Sequence, residues 1–191
     1  MSKTTNHIRG LHRHDQSERE KDDFYATDVR SILPLLEVMG WLNQSLKIRD
    51  NCCGAGHLSI MLEYYGHQVI SSDLINRGYG IPDIDFLSDN ILDGEFDATV
   101  MNPPYKLAVP FIEKSISQSE YTCAFLRITF LEGVKKKAFF DENPPKYVAV
   151  FRWRVKSSKH GLFDKKEKSA TCYAWFIWKK GYKGEPIIKW I

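Results

Sequence analysis

The sequence predicts an α/β protein with a mostly parallel central sheet, helices on both faces of the sheet and an antiparallel strand at one edge. Apolar, β-branched runs of strand length alternate with segments of helical periodicity, and this order builds parallel βαβ units. The last two predicted strands, residues 147–153 and 171–178, have no helix between them, so we expect them to pair antiparallel. A hydrophobic content of 43% over 191 residues is enough to pack one domain.

The helices and strands follow one another with short turns between them. In the first helix, apolar side chains recur three and four residues apart, and Thr27 or Asp28 stands before it as a candidate N-cap. Gly66 follows the second helix, and glycine commonly ends a helix. The predicted helices are residues 29–46, 57–65, 107–118 and 131–141, and the predicted strands are residues 46–50, 68–73, 96–101, 121–129, 147–153 and 171–178.

Residues 1–22 are polar and charged without apolar periodicity, so we expect a flexible arm followed by a single domain at residues 23–191. No apolar run approaches the ~20 residues that span a bilayer, and the amino terminus lacks the apolar segment of a secretory signal. A cytoplasmic protein without a membrane partner is therefore expected. The four cysteines show no zinc-type spacing, which indicates buried free thiols and no metal site.

The strongest functional signal is the stretch Asn102-Pro103-Pro104-Tyr105. Two consecutive prolines lack backbone donors and fix φ, so this stretch cannot lie inside a helix or a central strand. It follows the predicted strand 96–101, and open α/β sheets bind their ligands at the carboxyl ends of strands. An amide, carbonyls without competing N–H groups and an aromatic ring together suit a planar amine. The sequence therefore predicts a site for a flat amino group in preference to a plain surface turn.

A second signal is the glycine turn between the first strand and the next helix. Gly54 and Gly56 let the backbone approach a bound nucleoside, and Asp73 ends the following strand, where an acid can bind ribose hydroxyls. The dinucleotide pattern Gly-x-Gly-x-x-Gly is incomplete, because Ser59 holds its third position. Asp50 would repel a pyrophosphate but attract an ammonium group. These features favour S-adenosylmethionine over NAD; two solvated strand-end acids are the plainer alternative.

Together, the Asn-Pro-Pro-Tyr stretch and the Asp-x-x-x-Gly-x-Gly turn resemble those of amino-group methyltransferases, most of all DNA N6-adenine methyltransferases. Residues 22–28 resemble the segment before the first helix in such enzymes, although Asp28 stands where proline is common. Residues 125–133 and 173–178 are similar to small methyltransferase-like proteins of phages and prophages. The resemblance covers residues 22–191 and implies a Rossmann-like methyltransferase fold. Related motifs also occur in enzymes that modify ribosomal RNA, transfer RNA and protein glutamine.

The resemblance implies a role for each matching residue at the S-adenosylmethionine site. Tyr25 and Thr27 would line the methionine end of the cofactor. Asp85 would accept from the adenine amine and Phe86 would pack on the ring, with Asp83 as the competitor of Asp85. The remaining implied cofactor contacts are the Asp50 carboxylate and the backbone of Gly54 and Gly56 for the amino acid part, and Asp73 for the ribose hydroxyls.

For the transferred methyl group, the resemblance implies that the motif binds the accepting amine. The Asn102 oxygen and the Pro103 carbonyl would accept its two N–H groups and stabilise developing positive charge. Pro104 would keep the turn rigid, and Tyr105 would stack on the base. An adenine amine is inaccessible within a duplex, so the base must be flipped out or presented in a single strand.

Nucleic acid is the expected partner, with DNA favoured over RNA. A net charge of +3 allows such a partner, and the candidates for phosphate contacts are Arg152, Arg154, Lys156, Lys159 and Lys165. Two alternatives stay open. One is an N-methyltransferase that acts on an RNA base or on protein glutamine. The other is a non-catalytic nucleic-acid-binding protein that retains the fold, because the Cys52-Cys53 pair is unusual in such a turn. The sequence makes no prediction of oligomeric state.

Overall fold

A seven-stranded sheet forms the centre of the computed structural model, which describes residues 26–88, 92, 94–155, 157–158 and 171–191. Within those residues the strands are β1 (Ala26–Thr27), β2 (Lys47–Asp50), β3 (Gln68–Ser71), β4 (Phe96–Met101), β5 (Ser119–Arg127), β6 (Tyr147–Val150), β7 (Ser157–Ser158), β8 (Tyr173–Lys179) and β9 (Ile187–Trp190). The α-helices are α1 (Ile32–Met39), α2 (His57–Tyr64), α3 (Ala108–Gln118) and α4 (Lys137–Glu142).

The strand order across the sheet is β3-β2-β4-β5-β8-β6-β9, and every pairing is parallel except the two made by β8. This confirms the predicted α/β class and its mostly parallel sheet. The antiparallel pairing predicted for the last two strands forms between β6 and β8. The outermost strand on that side is β9, from the apolar tail, which pairs parallel with β6 and satisfies the backbone groups of its free edge.

Two predicted helices are shorter in the structure, and in both a glycine ends or interrupts the helix. The first ends at Met39, because Gly40 takes the left-handed conformation and bonds back to the preceding carbonyls. The predicted helix 131–141 contains a 3₁₀ turn and then α4, because Gly133 at φ 108° interrupts the helical backbone. No helix in the described part of the chain is long and apolar enough to cross a bilayer.

Helices α1 and α2 cover one face of the sheet and build the first core. Leu35 of α1 and Leu62 of α2 pack in one cluster with Phe125 and Trp175 of the sheet, and all four side chains are fully buried. The Trp175 indole N–H donates to the backbone carbonyl of Ser31 at 2.9 Å, so this buried donor is satisfied. That bond ties the start of α1 to the middle of the sheet.

Helices α3 and α4 cover the opposite face and build the second core. Ile112 of α3 and Phe139 of α4 pack in a cluster with Phe176 and Trp178. The Trp178 indole N–H donates to the carbonyl of Asn143 at 2.9 Å, just beyond the end of α4. The helices on both faces that the alternating pattern predicts are therefore confirmed.

The parallel strands bring their carboxyl ends to one edge of the sheet, and chemically distinctive residues stand there. Asp50 ends β2, Asn102 follows β4 and Arg127 ends β5. Beside this edge, β1 pairs antiparallel with β7, with Thr27 opposite Ser157. This short ladder joins the segment before α1 to the segment after β6.

The loop after β3 folds back tightly onto the glycine turn, which yields a prediction about stability. A Cβ atom on Gly80 would lie 2.8 Å from the Cys53 sulfur and 2.9 Å from the backbone oxygen of Ser71, at a φ of +70°. Gly78 in the same loop has a φ of +83° but nothing within 4 Å of its Cβ position.

We predict that Gly80→Ala lowers the free energy of unfolding by about 2–4 kcal/mol, because backbone strain and a backbone clash add. Gly78→Ala is the matched control and should cost only about 1 kcal/mol, from the left-handed conformation alone. Urea unfolding of both variants measures the difference. Equal losses would show that the loop does not pack tightly on the turn.

Candidate functional site

A cavity of about 420 Å³ opens at the carboxyl ends of β2, β3 and β4, a volume that suits a small-molecule ligand. Its walls come from the glycine turn, the loop after β3, the short segment at residues 84–86 and the Asn-Pro-Pro-Tyr turn. The predicted site residues that line it are Thr27, Asp50, Gly54, Asp73, Asp85, Phe86, Asn102 and Pro104. Residues far apart in the chain thus share one space.

Some predicted residues lie elsewhere. Gly56 packs away from the cavity wall, under Tyr79, whose ring lies 2.5 Å from the position a Cβ would take. Pro103 and Tyr105 stand next to the cavity in sequence but do not line it. The predictions for Tyr25, Lys156, Lys159 and Lys165 fall outside the described residues.

Asp50 is a buried carboxyl with one oxygen directed to a protein donor. Its Oδ2 atom accepts from the Ser59 hydroxyl at 2.7 Å, and Ser71 donates in turn to that hydroxyl at 2.8 Å. Within the described residues no donor meets its Oδ1 atom with hydrogen-bond geometry. Burial raises the pKa of Asp50 to about 7, against the lowering effect of the Ser59 hydrogen bond. Such a group gains most from a cation placed beside it.

Asp73 lies after β3, the strand next to β2, and lines the same cavity. Its Oδ2 atom accepts from the backbone N–H of Gly54 at 2.8 Å. Its Oδ1 atom accepts from the backbone N–H of Ile75 at 2.9 Å and from the guanidinium of Arg77 at 3.0 Å. The carboxylate therefore connects the loop after β3 to the glycine turn, and Asp73 also lines the cavity. Sequence reasoning missed Arg77, although a basic residue four positions after a strand-end acid is a recognisable signal.

Asp85 and Phe86, in the short segment at residues 84–86, both line the cavity. Asp85 lines the wall and accepts from the backbone N–H of Leu87 at 3.0 Å, whereas Asp83 does not line it. Hydrogen bonding by Ser88 lowers the pKa of Asp85 below its usual value, so it is a carboxylate at neutral pH. The Phe86 ring is buried and lies 5.1 Å from the ring of Phe111, and the Arg49 guanidinium lies 4.8 Å from its centre.

The two cysteines of the glycine turn are neutral thiols. Both line the cavity and both are free. Burial raises the pKa of Cys53 to about 12 and that of Cys52 well above its usual value. They act here as small uncharged side chains, which is compatible with a ligand in the cavity.

Asn102 is held in a fixed orientation by Thr27. The Asn102 side-chain nitrogen donates to the Thr27 hydroxyl at 2.9 Å, and Thr27 is almost completely buried. With the nitrogen end of the amide bound there, the carbonyl end is the one that can accept from a substrate amine. The turn is also closed locally, because the backbone N–H of Leu107 donates to the Pro104 carbonyl at 2.9 Å.

Tyr105 belongs to a second group of residues next to the cavity. The Arg127 guanidinium lies 4.7 Å from the centre of the Tyr105 ring, which is a cation–π contact. The hydroxyl of Tyr105 donates to that of Tyr173 at 3.3 Å. Sequence reasoning missed Arg127, although a charged residue that ends a buried strand at the ligand-binding edge is a usable signal.

No protein-family model matches the sequence, and no curated protein matches it. Solved structures are similar in fold. A proposed RNA methyltransferase from Pyrococcus horikoshii is 15% identical, with a TM-score of 0.62 over 83% of this chain and 87% of that one. A type I restriction-modification methyltransferase subunit from Streptococcus thermophilus is 13% identical, with a TM-score of 0.61 over 86% of this chain and 47% of that one.

Magnesium protoporphyrin IX methyltransferase from Synechocystis PCC 6803, solved with bound S-adenosylmethionine, is also similar. It is 17% identical, with a TM-score of 0.53 over 80% of this chain and 78% of that one. At such identities the likeness shows the fold, which is the Rossmann-like fold of these methyltransferases.

The raised pKa of Asp50 predicts a pH dependence of stability. Its folded-state pKa of about 7 lies above the unfolded value of 3.8, so the folded state binds the proton more tightly. Its contribution to stability is therefore full below about pH 4 and is lost as the pH rises to about 7. Between those pH values, the melting temperature of the wild type should fall relative to that of Asp50→Asn, which has no such titration.

The measurement is thermal unfolding of both proteins without ligand from about pH 4 to about pH 8. Asp83→Asn is the control, because Asp83 is exposed at the same edge and asparagine tolerates its positive φ. If the melting temperatures of the wild type and Asp50→Asn change with pH in the same way, the raised pKa of Asp50 is contradicted.

Proposed function

We propose that the protein is an S-adenosylmethionine-dependent methyltransferase that acts on an exocyclic amine, with N6 of adenine in DNA as the favoured substrate. The observation that supports this most is the geometry of the cavity. A buried carboxyl at Asp50 and an amide at Asn102, oriented by Thr27, line the same cavity. That arrangement suits a cationic cofactor beside a planar amine.

The residues around the cavity fit the amino acid part of such a cofactor. Asp50 has a buried oxygen without a donor among the described residues, and an ammonium group would supply both the donor and the charge. The backbone of Gly54 stands beside it, held by Asp73. Asp73 would accept from ribose hydroxyls, and Asp85 with Phe86 would hold the adenine. When bound, S-adenosylmethionine supplies a methyl group on a positively charged sulfur.

The chain itself would prepare the amine. An exocyclic amine is a weak nucleophile, because its lone pair is delocalised into the ring. The Asn102 oxygen would accept one N–H and the Pro103 carbonyl the other, which favours a localised lone pair and stabilises developing positive charge. The Pro104 carbonyl is engaged by Leu107, so it keeps the turn in place. Rigid placement of the amine lowers the entropic part of the barrier. The surplus proton would leave to solvent.

Nucleic acid is the proposed substrate class. Arg152 and Arg154 are exposed beyond β6, whose carboxyl end lies at the same sheet edge as Asn102. The structural neighbours include two restriction-modification methyltransferase subunits and, separately, a proposed RNA methyltransferase. An RNA base or a protein glutamine has the same kind of amino group, so both remain alternatives for the substrate. A binding protein without catalysis is the third alternative.

We predict that Asn102→Ala lowers the methylation rate at least about 100-fold, because one of the two acceptors for the amine is lost. S-adenosylmethionine binding, measured by isothermal titration calorimetry, should stay within a few fold of the wild type. Thr27→Val keeps the side-chain volume but removes the hydroxyl, so it should lower the rate with less effect on the cofactor. Wild-type turnover in Asn102→Ala would disprove the proposed role of the motif.

Labelling with tritiated cofactor separates the three alternatives. The protein is incubated with DNA, with RNA and with protein pools in turn, and label is expected in DNA. Label in RNA or in protein would show that the proposed substrate is wrong and that the methyltransferase activity is right. If the wild type binds S-adenosylmethionine as tightly as Asn102→Ala does, and no pool gains label, the protein is a binding protein.

A further inference from the structure

The segment Arg152-Trp153-Arg154 places an exposed aromatic ring between two exposed cations. It follows β6, and Trp153 keeps 40% of its surface accessible. The other tryptophans on this side of the chain are core residues: Trp41 and Trp175 are almost fully buried. β6 is three strands from β4 in the sheet, so at the usual strand spacing this segment starts about 14 Å from the Asn102 strand.

A row of aromatic rings connects the Asn-Pro-Pro-Tyr turn to this tryptophan. The hydroxyls of Tyr105 and Tyr173 are 3.3 Å apart, and the Tyr173 ring stacks on Phe125 at 4.8 Å. Phe125 lies 6.1 Å from Phe151, whose ring is 5.4 Å from that of Trp153. The row follows one face of the sheet, so Trp153 lies on the same side of the molecule as Tyr105.

Positive charges accompany this row. The Arg127 guanidinium lies over the Tyr105 ring at 4.7 Å. The Arg154 guanidinium contacts the sulfur of Cys172, the residue before Tyr173. Tyr173, Phe125 and Phe151 are buried, so the row supports Trp153 from beneath, and Trp153 is its exposed ring. An exposed aromatic ring with cations beside it is the combination with which proteins bind unpaired bases and their phosphates.

We propose that Arg127, Arg152, Trp153 and Arg154, called here the stacking platform, bind the nucleotides next to the target base in a single strand. The inference rests on the proposed function and deepens it. In a duplex the base faces are covered by their neighbours, so an exposed tryptophan ring between two arginines has no face to stack on. In a single strand, Trp153 stacks on a flanking base and the arginines contact the phosphates on either side. The ligand is single-stranded nucleic acid, whether DNA or RNA.

Trp190 supplies a matched control. It is the more exposed tryptophan, with 71% of its surface accessible, and it stands at the same sheet edge. It lies opposite Val150 in the β6–β9 ladder, and Val150 packs against the second core, on the face away from the aromatic row. Non-specific stacking on any exposed tryptophan would involve Trp190 as much as Trp153.

The binding test measures fluorescence anisotropy with labelled mixed-sequence oligonucleotides, as single-stranded DNA, single-stranded RNA and duplex DNA. Trp153→Ala should weaken binding to at least one single strand by about 5-fold or more, and Trp153→Phe should restore most of it. Trp190→Ala should change binding by less than about twofold, and the duplex should bind more weakly than the single strand. The melting temperature of each variant verifies folding.

The salt dependence of binding separates stacking from phosphate contacts. Arg152→Ala and Arg154→Ala should each reduce the slope of log affinity against log salt by about 0.7, the value for one phosphate of a single strand. Trp153→Ala should lower affinity and leave that slope unchanged. A changed slope in Trp153→Ala, or unchanged slopes in both arginine variants, would overturn the platform.

Methylation of the same oligonucleotides with tritiated cofactor keeps this inference distinct from the proposed function. If the wild type labels nucleic acid but prefers duplex, or if Trp153→Ala binds as the wild type does, the platform is wrong and the methyltransferase stands. If no substrate gains label, the proposed function fails whatever the binding shows. A wild-type dimer that Trp153→Ala dissociates, seen by sedimentation, would assign the surface to a second copy and overturn the platform.

Discussion

The strands β2, β3, β4, β5 and β6 all run in the same direction, although the antiparallel strand β8 separates β5 from β6. This common direction is the constraint on which the rest of the structure depends. Because parallel strands end at one edge, residues separated by about a hundred positions in the chain arrive side by side. Acidic residues gather at β2 and β3, an amide follows β4, and cations follow β5 and β6. The carboxylates of this edge therefore lie at the cavity, where Arg77 pairs with Asp73, and the exposed Arg152 and Arg154 lie farther along the sheet.

The parts of the site that could be predicted from the sequence are those encoded locally. The Asn-Pro-Pro-Tyr turn and the strand-end acids can each be recognised from a few consecutive residues. Asp50, Asp73 and Asn102 do line one cavity. What could not be predicted depends on distant partners. Gly56 accommodates the ring of Tyr79, which no local pattern reveals. The tail forms β9 because β6 has an unpaired edge, and that is a property of the sheet as a whole.

Asp50 shows that the fold gives up stability at this site. A carboxyl without a partner for one oxygen is costly in a protein interior, and a neutral side chain of similar shape would be easier to bury. Among the described residues, the group is supported by a chain of two serine hydroxyls, Ser59 and Ser71. A site kept in this state favours a ligand that brings its own positive charge, so selectivity is built in before any ligand arrives.

Thr27 makes two connections. Its hydroxyl accepts from the Asn102 amide, and its backbone pairs with Ser157 in the β1–β7 ladder. A ladder of two residues on each strand has little stability of its own and depends on what its flanking segments bind. The segment that leads into β7 begins at the exposed arginines after β6. A nucleic acid bound by those arginines, as proposed above, would restrain the ladder and with it the Asn102 amide. Under that proposal, substrate binding and the orientation of the amide would be coupled through the main chain of β1 and β7.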